Sequence, residues 1–257
     1  MKVTLLTHTP DPEKLIATAA KVCYSDSDIE HIEEGLTDEK IKSFIDMLMN
    51  LGHESPIEHV SFTFAIEGIS RANSHQLVRH RIASYSQKSQ RYVSESQFDY
   101  VTPPSIDHAP AYIKVQYDKL MEEIQNTYDH IKTTLMEELV ASGIDRKSAE
   151  KIANEDARYV LPNACQTSII VTMNIRSLFN FFKLRCCNRA QWEIREVANE
   201  MWKQCMIVAP YIFKHSGPSC VAKGKCSEGN MCCGKSEEKV GEFASMCIEI
   251  DRERNKE

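Results

Sequence analysis

Between residues 59 and 66, Val60, Phe62, Phe64 and Ile66 alternate with Ser61, Thr63 and Ala65, the period of two that marks a half-buried strand. A strand with one buried face commits the chain to a sheet, because that face must be covered and the backbone paired. Residues 166–174 offer a second strand, with Ile169, Ile170, Val171 and Thr172 in a buried run, and residues 2–7 a short third. Helical patterns fill the intervals. Residues 12–24 put Leu15, Ile16, Ala19 and Val22 at helical spacing. Thr37 stands as an N-cap before Ile41, Phe44, Ile45, Leu48 and Met49, in a helix that should stop near Gly52 and Pro56. Further helices are expected at 69–80, 146–158, 177–184 and 192–208, with 111–139 a long, charged helix on the surface of the core. The fold class is therefore mixed, α/β (α+β), with long helices and no regular βαβ alternation.

A chain of 257 residues can bury a sizeable core. Its formal net charge of −6 excludes a general nucleic-acid binder, which needs a broad basic surface, but leaves room for a local cationic pocket. No apolar run approaches the roughly 20 residues of a bilayer crossing, so no membrane partner is expected. The N-terminus lacks the apolar stretch of a secretory signal, and ten cysteines in such a chain should be reduced thiols, which points to a cytoplasmic protein. Composition shifts at Gly217, dividing a domain at 1–216 from a Cys-, Gly- and Lys-rich tail at 217–257.

One segment concentrates cations. Arg79, His80, Arg81, Lys88 and Arg91 occur without an acidic residue among them, interleaved with Ser84, Ser86, Ser89, Gln87 and Gln90. Guanidinium groups match phosphate oxygens in pairs, and hydroxyls or loop N–H groups complete such a cradle. The same residues also suit a solvated basic turn, or arginines paired with acids elsewhere in the fold. Spacing alone leaves both readings open.

No G-x-G-x-x-G occurs, so a Rossmann dinucleotide site is unsupported. Residues 229–236 (GNMCCGKS) match a phosphate-loop pattern, but nothing before them reads as a strand to carry the loop, and the match is taken as chance. Cys186 and Cys187 read as packing residues, with a nucleophile the less favoured alternative. Cys220, Cys226, Cys232 and Cys233 could hold zinc or an iron–sulfur cluster, yet their spacing lacks the short pairs of structural zinc sites, and no metal is expected.

Arg79-His80-Arg81 followed after seven residues by Ser89 resembles the signature of the flavin-dependent thymidylate synthases. The resemblance extends upstream to Gly52-His53-Glu54-Ser55-Pro56-Ile57-Glu58-His59. Downstream it takes in Arg158-Tyr159-Val160-Leu161-Pro162, Asn174-Ile175-Arg176-Ser177-Leu178 with Asn180, Leu184-Arg185, and Ala190-Gln191-Trp192-Glu193-Ile194. These segments follow in family order across roughly residues 2–210.

The resemblance implies a central, mostly antiparallel sheet with long helices, and a homotetramer whose active sites are shared between subunits. It implies reductive methylation of dUMP to dTMP, with methylenetetrahydrofolate as carbon donor, FAD as hydride carrier and NADPH as reductant. By position, Gln76, Leu77, Val78, Arg79, Gln87, Lys88, Ser89, Gln90, Arg91, Arg158 and Arg185 would hold dUMP, with Arg158 coming from a neighbouring subunit. Ser55, Arg79, His80, Arg81, Gln87, Asn174, Ile175, Arg176 and Asn180 would hold FAD, and His53 would lie on the folate side. Arg185 would be the catalytic residue, stabilising charge on the uracil. Two positions depart from some family members: Gln87 stands in place of Glu, and Arg189 in place of His. A non-catalytic nucleotide-binding protein, or another flavoenzyme acting on nucleotides, is the alternative, although a pure binder has no need of Arg185.

Overall fold

A computed structural model describes residues 1–254. In chain order they form β1 (Lys2–His8), α1 (Pro12–Val22), α2 (Ile29–Glu34), α3 (Asp38–Leu51), β2 (Ser61–Ser70) and α4 (Arg71–Leu77). Next come β3 (Ser84–Gln87), α5 (Pro104–Asp107), α6 (Ala111–Ala141), α7 (Arg146–Ala157) and β4 (Gln166–Asn174). The remaining elements are α8 (Ile175–Arg185), α9 (Trp192–Val208), α10 (Pro210–Phe213), α11 (Ser219–Ala222) and α12 (Ser236–Arg254). The four strands form one antiparallel sheet in the order β1-β2-β4-β3. The chain is thus α+β, as the patterning and the resemblance both imply.

The expected alternation holds in β2, where Phe62, Phe64 and Ile66 are fully buried. The strand, however, starts later and runs on to Ser70, because Ile69 is also fully buried. The helix expected at 69–80 is consequently shorter. Ser70 caps it, accepting from Asn73 N at 3.0 Å, and it ends at Leu77, so the cationic segment begins beyond the helix. β3 was not foreseen. Its Ser-Tyr-Ser-Gln sequence has no apolar alternation, and its strand character comes from pairing at the sheet edge. Thr37 does cap α3, accepting from Lys40 N at 3.4 Å, and Gly52 ends that helix at φ 74°, a conformation that favours glycine.

Two compact units emerge. The first comprises Met1–Lys2, Glu67–Val78 and Ser86–Ile169. Its long helix α6 buries Met121 and Tyr128 and packs on α7, as a surface helix should. Phe98, Met121 and Cys165 centre its apolar cluster, with Tyr100, Tyr117 and Ile124 around them. The second comprises Val3–Ile66, Arg79–Tyr85 and the chain from Ile170 onward. Its core is aromatic: Phe62 meets Phe213 edge-on at 5.4 Å, Phe182 meets Phe213 at 6.1 Å, and Trp202 Nε1 donates to buried Ser216 Oγ at 2.9 Å. Residues 217–254 belong to this unit, and Phe243 of α12 packs on Trp202 at 4.6 Å. Cys186 and Cys205 are buried in the same core, where burial pushes both thiols up. Cys186 is therefore a packing group held as a neutral thiol.

Candidate functional site

α8 organises the second unit's polar chemistry. Asn174 caps it, its Oδ1 accepting from Ser177 N at 2.9 Å, so the helix begins at Ile175, two residues before the expected start. Ile175, Leu178, Phe181 and Phe182 are buried on one face. Arg176, Asn180, Lys183 and Leu184, at spacings of three and four, line a cavity of about 840 Å³ on the other. Arg79, His80, Arg81 and Arg185 line the same cavity.

Six cationic side chains, Arg79, Arg81, Arg176, Lys183, Arg185 and Lys223, face two carboxylates, Glu54 and Glu58. Both carboxylates are engaged by Arg176, which reaches Glu54 at 3.4 Å and also pairs closely with Glu58. The Glu58 hydrogen bond leads the effects that raise the Arg176 pKa. The other cations leave the wall electropositive, which suits an anionic ligand. Arg185 Nε donates to His80 Nε2 at 3.0 Å. Burial and the Arg185 charge push the imidazole down to about 4, so His80 is neutral near pH 7. Burial, and then Arg79, lower Arg185 as well.

Of the residues expected at a flavin, Arg79, His80, Arg81, Asn174, Arg176 and Asn180 share this cavity. Ile175 does not: its side chain is fully buried and its N–H donates to Val60 O at 3.0 Å. Ser55 is exposed and lies outside the lining, and Gln87 belongs to the first unit. His53 lines a separate cavity of about 550 Å³ with Tyr24, Phe44 and Met47. Sequence reasoning passed over Glu54, Glu58, Ser177, Lys183 and the wall formed by Ser216, Gly217, Ser219 and Lys223. The two glutamates stand inside the 52–59 segment, and Lys183 follows Asn180 by three residues, so a helical projection would have found it.

The first unit carries the second half of the cationic segment. Lys88 Nζ pairs with buried Glu95 at 3.0 Å, and Arg91 Nη2 with Glu155 at 2.9 Å. The reading of cations paired with acids thus applies to both. Arg158 Nε donates to Glu155 O at 3.2 Å, and Ser89 Oγ accepts from Arg91 N at 3.3 Å. Gln90 Nε2 donates to Cys165 Sγ at 3.6 Å, while Gln87 Nε2 donates to Ser74 Oγ at 2.9 Å and Thr167 Oγ1 at 3.2 Å. Leu77 is fully buried, Gln76 half-buried and Val78 exposed. Arg71 was not foreseen: its Nη2 donates to Lys88 O at 3.2 Å, and burial lowers its pKa. Arg71 Nε and Arg91 Nε are buried donors without a hydrogen-bond partner, which is the donor chemistry a phosphate oxygen would satisfy.

Cys220, Cys226 and Cys233 of the tail line one small cavity with Cys187, but among the described residues no three His, Cys, Asp or Glu side chains stand together as a metal-holding group. Among the described residues, α11 rather than a strand lies ahead of 229–236, and a short 3-10 turn at Gly229–Met231 opens that stretch. Arg189 donates to Met231 O at 2.8 Å and pairs with Glu228 at 3.3 Å, outside the large cavity.

Residues 4–211 match the family model described as thymidylate synthase complementing protein. The chain is 58% identical over 238 residues to a flavin-dependent thymidylate synthase of Clostridium tetani, covering 93% of this chain and 95% of the relative. It is 48% identical over 250 residues to one of Geobacter sulfurreducens, covering 96% of this chain and 100% of the relative, a match that necessarily reaches into residues 217–257. A Sulfolobus acidocaldarius relative of the same name is 41% identical over 223 residues, 86% of this chain and 78% of the relative.

Proposed function

Because the chain belongs to the thymidylate synthase complementing protein family, we propose that it methylates dUMP to dTMP, taking carbon from methylenetetrahydrofolate and using FAD with NADPH as reductant. The observation that carries this reading is the convergence of Arg79, His80, Arg81, Asn174, Arg176, Asn180 and Arg185 on one cavity.

That cavity fits FAD in size and donor chemistry. About 840 Å³ lies within the range of roughly 300–1,000 Å³ usual for cofactor sites, and its excess of cations matches a pyrophosphate. Arg79, Arg81, Arg176 and Lys183 would hold the anionic part, and Asn174 and Asn180 would hydrogen-bond the rest. When bound, FAD supplies hydride transfer.

The protein's own residues bind, orient and stabilise charge. Ser89, Gln90 and Arg91 would grip the dUMP phosphate, joined by Arg71 and by Arg158 of a neighbouring copy. Gln76, Val78, Gln87 and Lys88 would complete the nucleotide contacts, Gln87 by hydrogen bonding alone, and the fully buried Leu77 could add only its backbone. Arg185 would stabilise negative charge developing at the uracil N3 and its carbonyl oxygens, which activates the ring for attack. His53 stands on the folate side. The same reading takes the assembly as a homotetramer with shared sites, 1–216 as the main catalytic domain and 217–257 as a Cys-rich tail that adds Gly217, Ser219 and Lys223 to the cavity wall. A cytoplasmic setting without nucleic-acid or membrane partners is consistent with the net charge of −6. Among the described residues, no helix is long and apolar enough to cross a membrane.

Two measurements test the reading. Purified protein incubated with FAD and then desalted should retain flavin absorption bands, and their absence would count directly against it. Arg185→Ala should retain FAD yet lose about 10²–10³-fold in dTMP formation, the loss typical of removing one charge-stabilising donor. Unchanged turnover would refute the role given to Arg185.

A further inference from the structure

We propose that His80 is a positioning residue for Arg185, accepting the guanidinium Nε–H and thereby turning the paired Nη edge toward the reacting pyrimidine. The inference rests on the reading of Arg185 just given and adds how that side chain is aimed.

The hydrogen bond itself sets the protonation state. Arginine nitrogens only donate, so His80 Nε2, 3.0 Å from Arg185 Nε, is the unprotonated ring nitrogen and Nδ1 carries the proton. A doubly protonated imidazole would set N–H against N–H and cation against cation. The surroundings prevent that, since burial and Arg185 hold the ring neutral near pH 7.

The acceptor is also fixed in place. The His80 ring stands edge-on to Phe181 at 4.9 Å and 84°, and Phe181 is fully buried against Phe182. Tyr85 Oη donates to the His80 carbonyl at 2.8 Å and ties down its backbone. Phe181 and Arg185 are four residues apart on α8, so the anchor of the ring and the group it orients lie one turn apart along the helix.

The consequence is a pre-set donor. An arginine side chain rotates about several bonds, and its planar fork is useful only in one orientation. With Nε held by His80, the two terminal nitrogens remain to meet adjacent acceptors, such as the carbonyl and N3 of an ionising imide edge. The orientation exists before substrate arrives, which is what electrostatic stabilisation of a developing charge requires.

The experiment is a double-mutant cycle on the full-length protein, at FAD concentrations shown by absorption to saturate each variant. His80→Phe removes the acceptor but keeps a ring against Phe181, and His80→Gln offers an amide oxygen in its place. His80→Phe should lower kcat by about 10–100-fold, the scale of a small misplacement of a catalytic group, with KM for dUMP moving far less. His80→Gln should recover much of that loss. Adding His80→Phe to Arg185→Ala should cost nothing further, because the histidine acts through the arginine. Equal losses in both backgrounds, or no kcat loss in His80→Phe, overturn the proposal.

A second arm needs no turnover. In ¹⁵N-histidine spectra of the protein without substrate, His80 should be the Nδ1–H tautomer, and its Nε2 resonance should shift in Arg185→Ala. An Nε2–H tautomer, or an Nε2 signal indifferent to Arg185, overturns the pairing. Wild-type protein that binds FAD but forms no dTMP would defeat the functional reading, and the spectra would still decide the His80–Arg185 contact.

Discussion

Lys88→Met should destabilise the protein by about 2 kcal/mol, a magnitude set by the unequal burial of its ion pair. Glu95 is only 4% exposed, Lys88 is 37% exposed, and Lys88 Nζ meets Glu95 Oε2 at 3.0 Å. Glu95 Oε1 already lacks a hydrogen-bond partner, so the substitution would strip the buried carboxylate of the ammonium that Oε2 accepts from. Breaking a fully buried pair costs about 3–5 kcal/mol, whereas an exposed pair contributes about 0–1 kcal/mol. The partly solvated ammonium places this pair between those limits. For a chain of this size, about 2 kcal/mol corresponds to a melting shift of about 4–8 °C. Circular dichroism melts of wild type, Lys88→Met, Glu95→Gln and the double variant are the assay. If the cost is the stranded charge, the double variant should regain at least half of it, since an amide is far cheaper to bury than an unpaired carboxylate. A Lys88→Met melt within a degree of wild type, or a double variant no better than the single, would refute the argument that Lys88 is the counterion of Glu95.

Other expectations can be checked with the same equipment. Asp145 caps α7, accepting from Lys147 N and Ser148 N at 3.1 Å each, so Asp145→Ala should cost about 1 kcal/mol while Asp145→Ser costs little. Gly217 has φ 120°, and a Cβ there would sit 3.1 Å from Phe243 Cε1. Gly217→Ala should therefore cost about 1–3 kcal/mol by melting, and a neutral result would mean that the backbone is free to relax. Burial and Arg185 lower the His80 pKa to about 4, so the unfolded chain takes up this proton first. Wild type should then lose stability relative to His80→Gln as pH falls from about 6.5 toward 4, with no such trend above that window; a flat difference across it would contradict the burial of a neutral ring.

Much of the architecture was legible because burial imposes a period. β4 lies at the expected 166–174 and α9 at the expected 192–208, both carried by apolar residues that meet a core. What lacked a period was missed. β3 is a polar edge strand whose character comes from its ladder partner, and α2 is a six-residue helix held by an Asp28 cap. α12 carries many charges, and the period of its buried Phe243, Met246 and Ile250 is weak; Phe243 finds its place against Trp202, far off in sequence. The site divides in the same way. Arg79, His80, Arg81 and Arg185 were found through their resemblance to a signature, because residue types alone left a solvated turn equally open. Arg71, Glu54 and Glu58 depend on tertiary pairing, which no local spacing encodes.

One consequence of α8 bears on how such a site can vary. The helix carries Asn174 at its cap, Arg176 in its first turn and Arg185 at its last position, all facing one cavity. Its 11 residues span about 16 Å, with every increment set by the backbone hydrogen-bond ladder. α8 is therefore a ruler, holding the expected cofactor end and the expected reacting end at a separation that side-chain substitutions leave untouched. Inserting or deleting a single residue between them would turn Arg185 by about 100° and carry it off the cavity wall. Across variants of this chain, the residues of α8 can change identity far more readily than the helix can change length.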